Sequence, residues 1–148
     1  MKSNIDGVKI TPLKIIADNR GKVMHMLRSD TEAFKKFGEI YFSTIYENSI
    51  KAWHLHKEAT LNYACIKGEV KLVLFDDRKN SLSKGQYQEL VLGQKDYFLV
   101  TIPSNVWNGF KGIDASESII ANCLTIPHNE KEMVRKDPLD TFFQYNWN

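Results

Sequence analysis

Residues 61–75 read LNYACIKGEVKLVLF, and this stretch decides the fold class. Its two apolar halves are rich in β-branched and aromatic residues, and Lys67-Gly68 separates them in the way that a tight turn separates two strands. Comparable runs occur at residues 39–46, 87–92, 97–102 and 118–124. Polar breaks with Gly or Pro lie between them, and only Thr31–Phe37 and Glu130–Arg135 have a helical pattern. The sequence therefore predicts an all-β sandwich or barrel with one or two short helices.

The size and composition of the chain limit the kinds of protein that it can be. It has 148 residues, of which 43% are hydrophobic and 26% charged, which predicts one globular domain over residues 1–148. A formal net charge of only +2 argues against nucleic acid as a partner. No run approaches the roughly 18 apolar residues of a membrane helix, and no signal peptide is evident. Cys65 and Cys123 lie in apolar runs, as buried free thiols do, so we expect a soluble cytoplasmic protein without membrane partners.

Two histidines, His54 and His56, lie two residues apart in a stretch that we predict to be a strand. Side chains at this spacing point to the same face of a strand, so Trp53 and Leu55 are predicted to pack on the opposite face. Paired imidazoles in an apolar interior are costly unless they are hydrogen-bonded. The histidine face is therefore predicted to be wet or functional, although a polar surface strand with an incidental pair is an alternative.

A metal site is the first functional interpretation of the pair, because His-x-His on a strand is half of a common cupin metal site. The other half is missing. A glutamate is expected four or five residues after His56, where the chain has Thr60 and Leu61. Farther along, Asn108 lies where the last histidine ligand is expected, and Asn is a weak ligand for transition metals. The sequence therefore predicts neither a metal ion nor another cofactor.

General-base chemistry is the second interpretation, because a neutral imidazole can accept a proton at physiological pH. A C–H bond beside a ketone is a suitable target, since the resulting anion is delocalised onto oxygen. Lys51 and Lys57 are the nearest candidates for holding phosphate or enolate charge, although the separation of three positions from Lys51 to His54 predicts opposite faces on a regular strand. Arg20 and Arg78 are further candidates for phosphate, and each of these cations is also compatible with a solvated surface.

Several short motifs resemble, in their order and spacing, those of the dTDP-4-keto-6-deoxyhexose 3,5-epimerases, a family of sugar-nucleotide cupins. The resemblance spans most of the chain. In chain order the motifs are Asp18-Asn19-Arg20-Gly21, Lys51-Ala52-Trp53-His54, Lys67-Gly68-Glu69-Val70, Asp76-Asp77-Arg78 with Ser81 and Gly85, Ile102-Pro103 with Asn108-Gly109-Phe110, and a closing segment with Glu132, Asp137-Pro138 and Tyr145-Asn146-Trp147.

This resemblance implies a cupin jelly-roll β-barrel, a homodimer, and a metal-free epimerase of a nucleotide-linked 4-keto-6-deoxy sugar in deoxysugar or polysaccharide biosynthesis. By the same resemblance, His54 removes the proton beside the 4-keto group, and Arg20 contacts the diphosphate across the dimer interface. Lys51 replaces an arginine and keeps its charge without the bidentate fork. Trp107 beside Asn108 is a candidate for stacking on a base or sugar, and core packing is its alternative.

The chain also departs from that family. The tyrosine acid expected in residues 125–128 is missing, so His128 is the nearest proton donor in that segment, and the aspartate that orients the family's histidine is not found. The run His54-Leu55-His56-Lys57 instead resembles sugar-nucleotide 3,4-ketoisomerases, in which paired histidines move a proton between adjacent carbons. His56 is therefore a second acid/base candidate, and a ketoisomerase and a non-catalytic sugar-nucleotide-binding cupin stay open as alternatives.

Overall fold

Twelve β-strands and one 3₁₀ turn make up the computed structural model, which describes residues 1–148. The bounds of the strands follow the apolar runs closely, because each run ends at a polar or glycine-containing turn. In chain order they are β1 (Lys9–Pro12), β2 (Ile15–Asp18), β3 (Gly21–Met24), β4 (Glu39–Ile45), β5 (Ile50–His56), β6 (Leu61–Lys67), β7 (Glu69–Phe75), β8 (Tyr87–Gly93), β9 (Phe98–Ile102), β10 (Trp107–Gly112), β11 (Ser118–Leu124) and β12 (Met133–Arg135).

The strands form two five-stranded antiparallel sheets and a separate hairpin of β2 and β3. The first sheet has the order β1-β9-β6-β11-β4, and the second has the order β12-β5-β10-β7-β8. One apolar core joins the sheets, with Leu61 and Ile120 from the first packed against Leu72 and Leu74 from the second. The non-sequential strand order, with the chain crossing repeatedly between facing sheets, is that of a jelly roll. The predicted all-β fold is therefore confirmed.

The crossing from β6 to β7 depends on a glycine. Gly68 has a φ of +71°, in the left-handed region that side chains disfavour. A Cβ atom at this position would also lie 2.2 Å from Ser118 Oγ on the neighbouring β11. The residue that separates the two apolar halves of the stretch 61–75 is therefore fixed both by its backbone and by its surroundings.

The two predicted helices differ from the structure. Thr31–Phe37 forms turns and loop without a helix, because a segment this short gains too few hydrogen bonds to offset helix nucleation. The segment Glu130–Arg135 divides into a 3₁₀ turn at Glu130–Glu132 and strand β12, whose backbone pairs with β5. Neither segment has the length and apolar composition of a membrane-crossing helix, and the same holds for the rest of the chain.

The aromatic C-terminal segment docks on the outer face of the second sheet. Trp53 is fully buried there and stacks on Phe143 at a centroid distance of 4.3 Å, with Trp147 at 5.0 Å. The Tyr87 hydroxyl donates a hydrogen bond to the Phe143 carbonyl. Trp53 thus lies on the face opposite the histidines, as the strand alternation predicts. Elsewhere, both cysteines are buried free thiols, which confirms that prediction.

Candidate active site

A cavity of about 230 Å³ lies between the two sheets and receives side chains from both. Its lining is unusually polar for the interior of a β-sandwich. Because buried polar groups need hydrogen-bond partners, such a lining indicates a site for a ligand. The first sheet contributes Tyr41, Ser43, Tyr63, Ile120 and Asn122, and the second contributes Lys51, His54, His56, Phe110, Met133 and Arg135.

Strand β5 carries an irregularity that brings Lys51 to the same cavity as the histidines. Its partner β10 pairs Asn108 with His54 but Phe110 with Lys51, so three steps along β5 match two along β10. The extra residue reverses the alternation of side chains, as a β-bulge does. The expectation that Lys51 and His54 point to opposite faces is therefore wrong, because it assumed a regular strand.

Gly109 allows this bulge to form. A Cβ atom at Gly109 would lie only 2.4 Å from the Cβ of Ala52, which belongs to the bulged part of β5. A larger side chain at either position would push the two strands apart. The close approach of these two backbones thus fixes where β5 departs from regular pairing.

The His54 imidazole faces the cavity with both ring nitrogens free of protein hydrogen bonds. Only its backbone carbonyl has a side-chain partner, accepting from Asn108 Nδ2 at 3.2 Å. Burial and, after it, the nearby Arg135, His56 and Lys51 together lower the pKa of His54 to about 4. The imidazole is therefore neutral at pH 7 and able to accept a proton.

His56 is held by a buried carboxylate. Its Nδ1 lies 2.5 Å from Glu132 Oε1, while Glu132 Oε2 accepts from the backbone N–H groups of Glu58 (3.1 Å) and Ala59 (3.3 Å). Burial alone would raise the pKa of Glu132, but these hydrogen bonds outweigh it and lower the pKa. An ionised Glu132 accepts the Nδ1 proton of His56, which leaves Nε2 as the nitrogen available to a ligand.

Two cations complete the histidine side of the cavity. Lys51 Nζ lies 3.2 Å from Ser43 Oγ on the opposite sheet. Arg135 pairs with His54 across β12 and β5, and its Nη1 donates to Glu130 Oε2 at 2.8 Å. Arg135 remains half-exposed, so the positive charge extends from the cavity to its rim. This arrangement can stabilise a carbonyl oxygen that becomes negative, or a phosphate at the entrance.

Two tyrosines reach the cavity from the first sheet, with different hydrogen bonds. The Tyr63 hydroxyl is fully buried and donates to Asn108 Oδ1 at 3.0 Å. The Tyr41 hydroxyl accepts from Asn122 Nδ2 at 3.0 Å. Burial raises the pKa of both phenols, so both are protonated at neutral pH.

Lys51 is the one residue predicted to bind substrate that lines the cavity, whereas Asn108, Trp107 and Arg78 lie outside it. Asn108 is completely buried, and both ends of its amide bind protein groups. Trp107 packs against Phe143 in the aromatic cluster, and Arg78 pairs with the buried Asp76 at 2.8 Å. Arg78 and Trp107 share a shallow hollow with Leu55, on the side of β5 that faces away from the histidines.

The remaining predicted residues are at the surface. Arg20 lies in the β2–β3 hairpin and pairs with Asp18 at 2.7 Å. Lys57 follows β5 and is exposed. His128 lies 2.8 Å from Glu130 and does not line the cavity. The structure therefore brings His54, His56 and Lys51 together in the cavity. Arg20, Lys57 and His128 lie away from it.

Glu132, Arg135, Tyr41 and Asn122 were not recognised as site residues from the sequence. Glu132 and Arg135 belong to a segment that was interpreted as a helix, so its pairing with β5 was not predicted. Tyr41 had a usable signal, because Tyr41 and Ser43 alternate with the exposed apolar Ile40 and Phe42. Polar residues on the inward phase of a strand indicate a cavity.

No group of three or more His, Cys, Asp or Glu side chains is arranged to share a metal ion. The histidines are paired with a carboxylate and two cations instead. The site thus has the composition of an acid/base centre with positive charge at its edge.

His54 is expected to make the chain less stable on acidification. Because the pKa of its imidazole is about 4 when folded and 6.5 when unperturbed, the unfolded state binds more protons between these values. The free energy of unfolding therefore falls as the pH is lowered through this window. In urea unfolding, His54→Asn should gain stability relative to the wild type over the same window. His128→Asn, which removes an exposed histidine, should follow the wild type, and an equal pH dependence in all three chains would refute the expectation.

Comparison with known proteins agrees with this architecture. The fold and cavity define a cupin-type jelly roll with a site for a small polar molecule. The family described as dTDP-4-dehydrorhamnose 3,5-epimerase matches residues 2–147. The spore coat polysaccharide biosynthesis protein SpsL of Bacillus subtilis is 30% identical over 146 residues, covering 97% of each chain. The chain therefore belongs to the dTDP-4-dehydrorhamnose 3,5-epimerase family, whose members are isomerases, and the resemblance in its motifs is confirmed.

Two further relatives support this assignment. The probable low-salt glycan biosynthesis epimerase Agl13 of Haloferax volcanii is 32% identical over 121 residues, which are 80% of this chain and 78% of the relative. The crystal structure of a dTDP sugar isomerase from Desulfovibrio desulfuricans superposes with a TM-score of 0.95 at 35% identity, covering 97% of this chain and 92% of that one.

Proposed function

We propose that this chain epimerises a nucleotide-linked 4-keto-6-deoxy sugar, with His54 as the base and without a metal ion, in the biosynthesis of a deoxysugar or surface polysaccharide. The family and the relatives in glycan and spore coat polysaccharide biosynthesis support the reaction class. The observation that carries the proposal is the His54 imidazole, which is neutral, faces the cavity and has both ring nitrogens free. Two buried free thiols are compatible with the reducing cytoplasm as its setting.

In the first step, neutral His54 accepts the proton from the carbon beside the 4-keto group. The electrons of the broken C–H bond form a C=C bond, and those of the carbonyl move onto oxygen, which gives an enolate and an imidazolium. Lys51 and Arg135 are the cations in reach of the cavity that can stabilise the enolate or the diphosphate. A cavity of about 230 Å³ is small beside typical drug-sized sites, so only the sugar lies inside it and the nucleotide extends past the rim.

A second candidate function is 3,4-ketoisomerisation, which the His56–Glu132 pair favours. His54 and His56 belong to one strand and approach a substrate from the same side of the cavity. Two acid/base groups on one side suit the transfer of a proton between adjacent carbons without inversion. In that reaction His56 is oriented by Glu132 and serves as the second acid/base group.

Solvent deuterium exchange on dTDP-, GDP- and UDP-linked 4-keto sugars separates the candidates. Epimerisation incorporates deuterium at C3 or C5 with inversion of that carbon. Ketoisomerisation moves the keto group to a new carbon, which NMR detects. Activity should survive removal of metal ions with EDTA. Binding of the sugars without exchange in the whole panel would refute both reactions and favour a sugar-nucleotide-binding protein. Loss of exchange on EDTA treatment, with recovery when metal ions are added, would refute the metal-free mechanism.

We also propose that the chain forms a homodimer, as the family resemblance implies. Ile16 and Val23 pair across the β2–β3 hairpin and are 47% and 60% exposed, and Phe42 on the edge strand β4 is 62% exposed. Exposed apolar side chains of this kind are typical of an interface. In a dimer, Arg20 at the tip of the hairpin would be available to the diphosphate bound by the second protomer.

Light scattering should give twice the chain mass for the wild type. Val23→Lys should give a monomer, whereas Leu82→Lys, at another exposed apolar residue, should remain a dimer. A monomeric wild type would refute the dimer.

A further inference from the structure

We propose that Tyr41 is the catalytic acid that delivers a proton to the enolate from the side opposite His54, an inference that rests on the proposed epimerase function. A single base on one side of the sugar can exchange a proton but cannot invert the carbon. Inversion needs a donor on the other side of the ring. The position of the donor in the cavity is therefore as important as its acidity.

The two sheets form the two walls of the cavity. His54, His56, Lys51 and Arg135 all come from the second sheet. Tyr41 lies on β4 of the first sheet, on the wall that faces them. A sugar ring held between the walls thus presents one face to His54 and the other to Tyr41.

The hydrogen bonds of Tyr41 leave its proton available. Its hydroxyl oxygen accepts from Asn122 Nδ2 at 3.0 Å, on the adjacent strand β11, and its own hydrogen has no acceptor in the protein. Tyr63, the other phenol on this wall, already donates to the buried Asn108. The Ser43 hydroxyl accepts from Lys51 Nζ, and an aliphatic hydroxyl is a much weaker acid than a phenol. Asn122 therefore orients Tyr41 without taking its proton, whereas the proton of Tyr63 is engaged.

The chemistry balances over one turnover. His54 takes the proton from carbon and becomes an imidazolium, and the enolate then takes the hydroxyl proton of Tyr41 on the other face of the same carbon. The new C–H bond forms as the enolate returns its electrons to carbon, and Tyr41 is left as a phenolate. Solvent then removes the proton from the imidazolium and returns one to the phenolate, so no other reactant is needed.

Tyr41→Phe separates inversion from proton exchange. We expect the variant to form inverted product at least about 100-fold more slowly than the wild type, the size of a lost general acid. Deuterium should still enter the same carbon, because His54 can remove and return a proton on its own side, and the recovered substrate should keep its configuration. Tyr46→Phe is the matched control, since Tyr46 is 68% exposed just beyond β4 and should react like the wild type.

Two outcomes would overturn the role of Tyr41. Inverted product at the wild-type rate in Tyr41→Phe would exclude it as the donor. Equal loss of exchange and inversion, in a variant that unfolds at the wild-type urea concentration, would show that it does not act on the inversion step. If the wild type itself exchanges no proton on any sugar of the panel, the proposed function fails, and the inference fails with it for that separate reason.

Discussion

Replacing His54 by Asn is expected to reduce deuterium incorporation beside the keto group by about 10³-fold, since a positioned general base contributes 10² to 10⁴ in rate. Of the two cavity histidines, His54 is the one with both ring nitrogens free of protein hydrogen bonds and with a lowered pKa that favours its neutral form. Asn at this position cannot accept a proton from carbon. Product formation should fall in parallel. NMR of the substrate in deuterated buffer measures both quantities in one experiment.

Two other histidine variants test the assignment of the base. His128→Asn removes a surface imidazole that does not line the cavity and should leave the exchange rate unchanged. His56→Asn should reduce exchange less than His54→Asn, because His56 is proposed only to assist. If exchange survives in His54→Asn and disappears in His56→Asn, the base is His56 and the assignment must be reversed.

Glu132→Ala is expected to lower the free energy of unfolding by about 3 kcal/mol at pH 7, as for removal of one partner from a buried ion pair or hydrogen-bonded charge. Glu132 is only 5% exposed, and its carboxylate accepts hydrogen bonds from His56 and from the backbone of Glu58 and Ala59. All three donors lose their acceptor in the variant. Urea unfolding followed by tryptophan fluorescence measures the change, because three tryptophans are present.

Glu130→Ala is the matched control for this change. Glu130 lies two residues earlier and is also paired with a histidine, but that pair is at the surface. Exposed pairs contribute little to stability, so this variant should unfold close to the wild type. Glu132→Gln should fall between Glu132→Ala and the wild type, because an amide oxygen still accepts a hydrogen bond. Equal stabilities of Glu132→Ala and Glu130→Ala would contradict the buried pair.

Local sequence patterns were sufficient for the strands but not for the whole site. The two apolar halves of residues 61–75 and the glycine between them defined β6 and β7, because these features depend on neighbours along the chain. The common face of His54 and His56 followed from the same local rule. The helices predicted at Thr31–Phe37 and Glu130–Arg135 were wrong, because tertiary packing decides the secondary structure of segments this short.

The rest of the site depends on partners that are distant in the sequence. Glu132 meets His56 across 76 residues, and Asn122 meets Tyr41 across 81. No spacing rule connects such pairs, since they arise only when β12 joins β5 and β11 joins β4. The sequence has no counterpart of the aspartate that orients the family's histidine, yet in the structure His56 has a carboxylate partner in Glu132, which motifs compared position by position do not reveal.

The bulge in β5 has a consequence for comparing relatives. A lysine or arginine three positions before the first histidine reaches the cavity only where the strand carries an extra residue, and that residue fits here because Gly109 meets Ala52 at close range. In an alignment, the basic residue and the two small residues should therefore change together. Where evolution has enlarged either small side chain, the cation at this position should have lost its functional constraint and should vary as freely as any surface residue.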